Sequence, residues 1–165
     1  MMRTCATVAI LVLTGPVGSF AQAKPDFSGR WALNENKSDP GTSGAGGSTT
    51  GVAFTSYLTF KQSPTEVSLE KSGPRQDSIA ATYKMDGVEV AVAGPSGIAI
   101  KSKAAWDGGT LVVTSTWSYS SPAGDISTDT TEVYSLTGDS LAVEKTQTSD
   151  GISYKAKGVY DRAGS

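Results

Sequence analysis

The chain has 165 residues, 14 basic and 16 acidic side chains, a single cysteine and no histidine. Without histidine, Ser–His–Asp and Cys–His catalysis and His-ligated zinc or haem are all excluded. The mild acidic balance leaves no electrostatic footprint for nucleic acid or anionic lipid.

The first 23 residues carry the pattern of a removable export signal. Arg3 supplies a positive start, Ala6 to Val12 form an apolar run, Gly15-Pro16 breaks any helix, and Ala21-Gln22-Ala23 offers the small-x-small pattern of a cleavage site. The run is too short to cross a hydrocarbon layer of roughly 30 Å, so no stable membrane anchor is expected. Cys5 precedes the apolar run, the wrong side for a lipid-modified cysteine. Removing the signal from 165 residues leaves 142, a size suited to one domain at 24–165 with one core. Loss of Arg3 leaves a net charge of −3, and loss of Cys5 leaves neither disulfide nor thiol chemistry. The expected location is the periplasm or the exterior.

From Phe27 onward the pattern alternates with period two. The expected strands are Phe27–Leu33, Ala53–Lys61, Glu66–Lys71, Ser78–Met85, Val88–Ala93, Gly97–Trp106, Thr110–Tyr119, Ile126–Leu136, Ser140–Thr148 and Ile152–Tyr160. Gly- and Pro-rich breaks separate them, and Asp86-Gly87, Asp107-Gly108 and Asp150-Gly151 are hairpin signals because glycine accepts the positive φ of a primed turn. Residues 34–52 form the one long irregular stretch, nearly all Gly, Ser, Thr and Ala from Gly41 to Gly51. That composition fits a loop over a barrel mouth and lacks the following helix that a phosphate cradle needs. Hairpin-linked strands with short connections favour an all-β, antiparallel up-and-down barrel of about ten strands, which removes exposed edges. A β-sandwich is the alternative.

Alternation also assigns faces. Ile98, Ile100, Ser102, Ala104 and Trp106 share one face of their strand, with Lys101 and Lys103 opposite. Leu111, Val113, Ser115, Trp117 and Tyr119 form a second inner row. In the last strand Lys155 and Lys157 point outward, which leaves Tyr154, Ala156, Gly158 and Tyr160 inside. Aromatics mixed with Ala, Gly and Ser imply either a tapered wall or a partly polar cavity.

Chemistry has few footholds. Gly138-Asp139-Ser140-Leu141 spells the nucleophile motif of secreted esterases, but it falls in a hairpin of a chain that has no histidine. Most acids sit in turns, where Asp favours the turn itself. Glu132 is the exception, sharing parity with Thr128, Thr130, Tyr134 and Leu136. It faces either inward or the rim, with no second inward carboxylate to complete a glycosidase pair. Asp125, Asp129 and Asp150 lack calcium-loop spacing. No cofactor and no metal are expected. Arg75, in a turn, is either solvated or reaches over a barrel mouth.

Phe27-Ser28-Gly29-Arg30-Trp31, an F-x-G-x-W opening, resembles the calycin superfamily of lipocalins, fatty-acid-binding proteins and their relatives. Trp106-Asp107-Gly108-Gly109-Thr110-Leu111-Val112 is similar to a hairpin of fatty-acid-binding proteins. Gly158-Val159-Tyr160-Asp161-Arg162 is similar to their final R-x-Y strand, and the opening through Asp39 resembles exported bacterial lipocalin-like proteins. The resemblance implies a barrel whose one end Trp31 closes by packing on the last strand. Two departures stand out: Gly158 occupies the position of the carboxylate-binding arginine, with Lys157 one residue out of phase, and the Gly-rich stretch replaces a helical lid.

The leading expectation is a non-enzymatic exported barrel holding a small, mostly apolar molecule. Its wall would comprise Trp106, Trp117, Tyr119, Tyr154 and Tyr160, with Glu132 as polar anchor. A monomeric state is compatible with the pattern. The alternatives are a filled barrel that binds partners through its loops, and a carboxylate-type secreted enzyme.

Overall fold

The computed structural model describes residues 24–41, 53–74, 76–94, 97–122 and 124–164. The expected export signal at 1–23, the Gly-rich run at 42–52 and Arg75 lie outside the described residues.

Ten strands form: β1 Gly29–Leu33, β2 Tyr57–Gln62, β3 Glu66–Gly73, β4 Gln76–Lys84, β5 Val90–Ala93, β6 Ala99–Asp107, β7 Thr110–Ser121, β8 Gly124–Thr137, β9 Ser140–Ser149 and β10 Ile152–Arg162. Every ladder is antiparallel, and the sheet runs β4-β3-β2-β1-β10-β9-β8-β7-β6-β5. The chain therefore meanders, with one long step where β10 returns to β1. This is the expected barrel, not a sandwich. The outermost strands β4 and β5 approach each other without forming a ladder among the described residues. The barrel is nearly closed. Tyr83 of β4 spans this gap, its hydroxyl 3.1 Å from Ser102 Oγ of β6.

Local chemistry explains the hairpins. At Asp150-Gly151 both residues have positive φ, +49° and +77°, the type I′ geometry whose twist matches the flanking strands. Where strand boundaries differ from the sequence pattern, a specific interaction decides. At Val88 the N–H bonds back to Asp86 Oδ1 at 3.0 Å, so β5 starts later. Ahead of β1, Phe27 N–H bonds the Gln62 side chain at 3.1 Å instead of entering a ladder. Ser56 O still accepts the Leu33 N–H at 2.9 Å, and residues 53–55 ahead of it turn over the barrel interior.

The two ends are built differently. Phe27 plugs one of them, stacked on Trp106 at 5.6 Å and tilted against Phe60 at 5.7 Å. Trp31 is fully buried beneath, its indole N–H donating to Phe27 O at 2.9 Å. Arg162, its register partner on β10, lies 4.4 Å over the ring. From this floor upward the inward rows change character. Along β7 they run Leu111, Val113, Ser115, Trp117; along β9, Leu141, Val143, Lys145, Gln147; along β3, Val67, Leu69, Lys71. The lower half packs as a core, whereas the upper half cannot.

Candidate functional site

In that upper half the barrel wall lines a partly open cavity of about 210 Å³. Its apolar wall includes Leu58, Leu69, Ile79, Val92, Ile100 and Val143, and its polar groups concentrate around Glu132.

The ladders place this cluster. Glu132 of β8 is the direct register partner of Lys145 on β9, and period two turns both inward. Lys71 on β3, set opposite Leu58 of β2, reaches across the interior to form an ion pair with Glu132 Oε2. The same oxygen accepts the Tyr134 hydroxyl at 2.8 Å, while Lys145 Nζ lies 3.8 Å from Oε1. Glu132 is 6 % exposed, so its charge is sustained by these groups and not by water. Burial by itself would raise its pKa. The charges of Lys71 and Lys145, with the hydrogen bonds from Lys71 and Tyr134, outweigh burial and hold it below the usual glutamate value. Tyr134 moves far the other way, because burial and the adjacent carboxylate both oppose a phenolate. Nearby, Ser102 Oγ joins Ser115 Oγ at 2.8 Å and Thr114 O at 3.1 Å, completing a second polar group on β6 and β7.

The segment 53–56 roofs the cavity. Lys145 Nζ donates to Ala53 O at 3.2 Å, and the Tyr160 hydroxyl donates to Thr55 O at 3.0 Å. Phe54 lies so close to β10 that a Cβ at residue 158 would stand 2.9 Å from its ring, which is why glycine occupies that position. Of the two lysines 155 and 157 expected outward, both are exposed.

Trp117, Glu132 and Tyr160 line the cavity. Trp106 lies at the plugged end against Phe27, with Lys24 Nζ 5.5 Å over its ring. Tyr119, stacked on Trp117 at 5.7 Å, is 42 % exposed on the rim. Tyr154 is half-buried on the inward row of β10 but is not part of the cavity wall. Glu132 is the one buried carboxylate among the described residues, so no facing pair of acids forms there. Nor do three or more metal-ligating side chains cluster among those residues. No described helix is long and apolar enough to cross a membrane.

Sequence reasoning missed Lys71 and Lys145, the two side chains that make Glu132 tenable. The signal was present: Val67-x-Leu69-x-Lys71 and Leu141-x-Val143-x-Lys145 each carry an apolar row straight into a lysine of the same parity. Lysines at the ends of apolar rows are ordinarily solvated, and only a cross-barrel partner reverses that reading.

No protein-family model matches the chain, and no curated protein matches it. Solved structures do. The zebrafish ileal bile acid-binding protein complexed with cholic acid superposes with a TM-score of 0.58 at 13 % identity, covering 83 % of this chain and 98 % of that one. A secretory abundant heat soluble protein from Ramazzottius varieornatus gives 0.57 at 16 % identity, covering 83 % and 95 %. Lipid binding protein 8 from Caenorhabditis elegans, in its apo form, gives 0.55 at 14 % identity, covering 83 % and 95 %. At such identities the likeness establishes the fold: a calycin-like barrel.

Proposed function

We propose that this chain is a non-enzymatic binding protein, exported after loss of residues 1–23, that holds one compact, mostly apolar molecule inside the barrel. The carrying observation is the partly covered cavity of about 210 Å³, apolar on most of its wall and polar at the Lys71–Glu132–Lys145 cluster. A wall of that kind, with a few convergent polar groups, is how small-molecule sites are built, although typical drug-sized sites span about 300–1,000 Å³. An apolar cavity of roughly 150 Å³ already takes a benzene-sized molecule. The occupant is therefore a short chain or single ring with one polar group. The same barrel fold in a bile acid-binding protein complexed with cholic acid and in a lipid binding protein supports this reading.

Native mass spectrometry of the protein purified from its own host tests it, together with titration of Trp117 fluorescence by small apolar compounds. A co-purifying molecule, or saturable quenching that is lost when Thr130 on the wall becomes phenylalanine, supports the reading. Absence of both would defeat it. Sequencing the N-terminus of the exported protein, expected at Lys24, tests the localisation.

A further inference from the structure

Lys71 and Lys145 share one carboxylate unequally. Glu132 Oε2 takes both the Lys71 ion pair and the Tyr134 hydroxyl. Lys145 has only Oε1 at 3.8 Å, beyond hydrogen-bond reach, and donates instead to the neutral Ala53 carbonyl at 3.2 Å. Its side chain is 18 % exposed and lines the cavity. Two ammonium groups and one carboxylate would leave an unbalanced positive charge in a mostly apolar chamber. The amine without a hydrogen-bonded counter-ion is the one that gives up its proton more readily. Burial does lower the Lys145 pKa; Glu132 opposes this shift and the Lys71 charge adds to it. In its unprotonated form, a primary amine facing a mostly apolar cavity is a nucleophile toward carbonyl carbon.

We propose that the cavity captures a compact apolar aldehyde or ketone as a Schiff base on Lys145 Nζ. This rests on the intracavity-binding reading and identifies the polar group of the ligand as a carbonyl. The Lys145 nitrogen bonds to the carbonyl carbon as the C=O π bond opens and its oxygen takes up a proton. The nitrogen then loses a proton, the hydroxyl is protonated and departs as water, and the C=N bond forms. One water is released, and no oxidant or reductant is consumed. Lys71 and Tyr134, both held on Glu132, are the groups with exchangeable protons beside the reacting centre. The strap from Lys145 to Ala53 would be exchanged for the ligand bond, so capture would loosen the roof at that point.

The test uses benzaldehyde, a single ring of a size suited to a cavity of about 210 Å³, with benzyl alcohol as its non-condensing counterpart. The full chain is incubated near neutral pH with benzaldehyde and cyanoborohydride, and the adduct is located by peptide mass mapping. One benzyl group per chain is expected, with occupancy at Lys145 well above that at any surface lysine. Lys145→Met should abolish it, and Lys71→Met should weaken it, because Lys145 then becomes the only cation beside Glu132 and holds its proton more tightly; if Lys145→Met fails to fold, the wild-type map decides alone. Adducts spread over surface lysines overturn the proposal. If benzyl alcohol still quenches Trp117 saturably in that case, the binding reading stands while Schiff-base capture falls. If neither compound engages the cavity, both fall.

Discussion

Glu132→Gln is the sharpest probe of the interior. The amide keeps the shape of the side chain and still accepts the Tyr134 hydroxyl, but it removes the single anion between Lys71 and Lys145. Breaking a fully buried ion pair by deleting one partner costs about 3–5 kcal/mol. The Lys71 and Lys145 side chains are 23 % and 18 % exposed, so each ammonium can lean toward the mouth and recover some hydration. That points to the low end, about 3 kcal/mol, which at about 2–4 °C per kcal/mol for a domain of this size lowers Tm by roughly 6–12 °C. Urea unfolding followed by tryptophan fluorescence measures it, with an unchanged m-value confirming that the native and denatured states are otherwise alike. Adding Lys71→Met to Glu132→Gln should recover part of the loss, because one stranded cation is removed with its anion. A cost below about 1 kcal/mol, the range of a solvated surface pair, would refute the picture of a desolvated cluster.

Acid should weaken the fold in a defined window. Glu132 is held below its ordinary value of 4.5 against burial by Lys71 and Lys145, and Asp161 is lowered from 3.8 to about 2 by hydrogen bonds from Asn34, Ser140 and Lys37. Because the unfolded chain takes up protons first, their stabilisation is complete above the unfolded values. That of Glu132 is lost below about 4.5, and that of Asp161 between 3.8 and about 2. Urea midpoints measured over this range should fall with pH, less steeply in Glu132→Gln and Asp161→Asn. At the plugged end, Phe27→Ala should destabilise by about 3–5 kcal/mol while leaving ligand affinity within a few-fold, as separate urea and titration measurements would show. Gly158→Val drives a side chain into Phe54. It should cost about 1–3 kcal/mol and raise hydrogen exchange in residues 53–56, with unchanged exchange there counting against the roof.

Much of the barrel was readable from local rules. Period two placed all ten strands, and Asp150-Gly151 marked a hairpin that closes as a primed turn, whereas Asp86-Gly87 joins β4 to β5, which form no ladder with each other. The inner rows of β6 and β7 followed from parity alone, since a strand offers only two faces and lysines at 101 and 103 declare the outer one. Those features depend on neighbours along the chain or across one hairpin.

What alternation could not reveal was height along the barrel and partners across it. Trp106 and Trp117 share the inward parity of adjacent strands, yet one packs on Phe27 at the plug and the other lines the cavity. Parity chooses a face and says nothing of which layer a residue occupies. Lys71 and Glu132 are 61 residues apart on strands that share no ladder, so their pairing exists only once the sheet curls round. Sequence alone determined an all-β meander with Glu132 as an open question. Closure of the sheet answered it, because curvature brought the Lys71 ammonium from the far wall to a carboxylate already beside Lys145 of the adjacent strand.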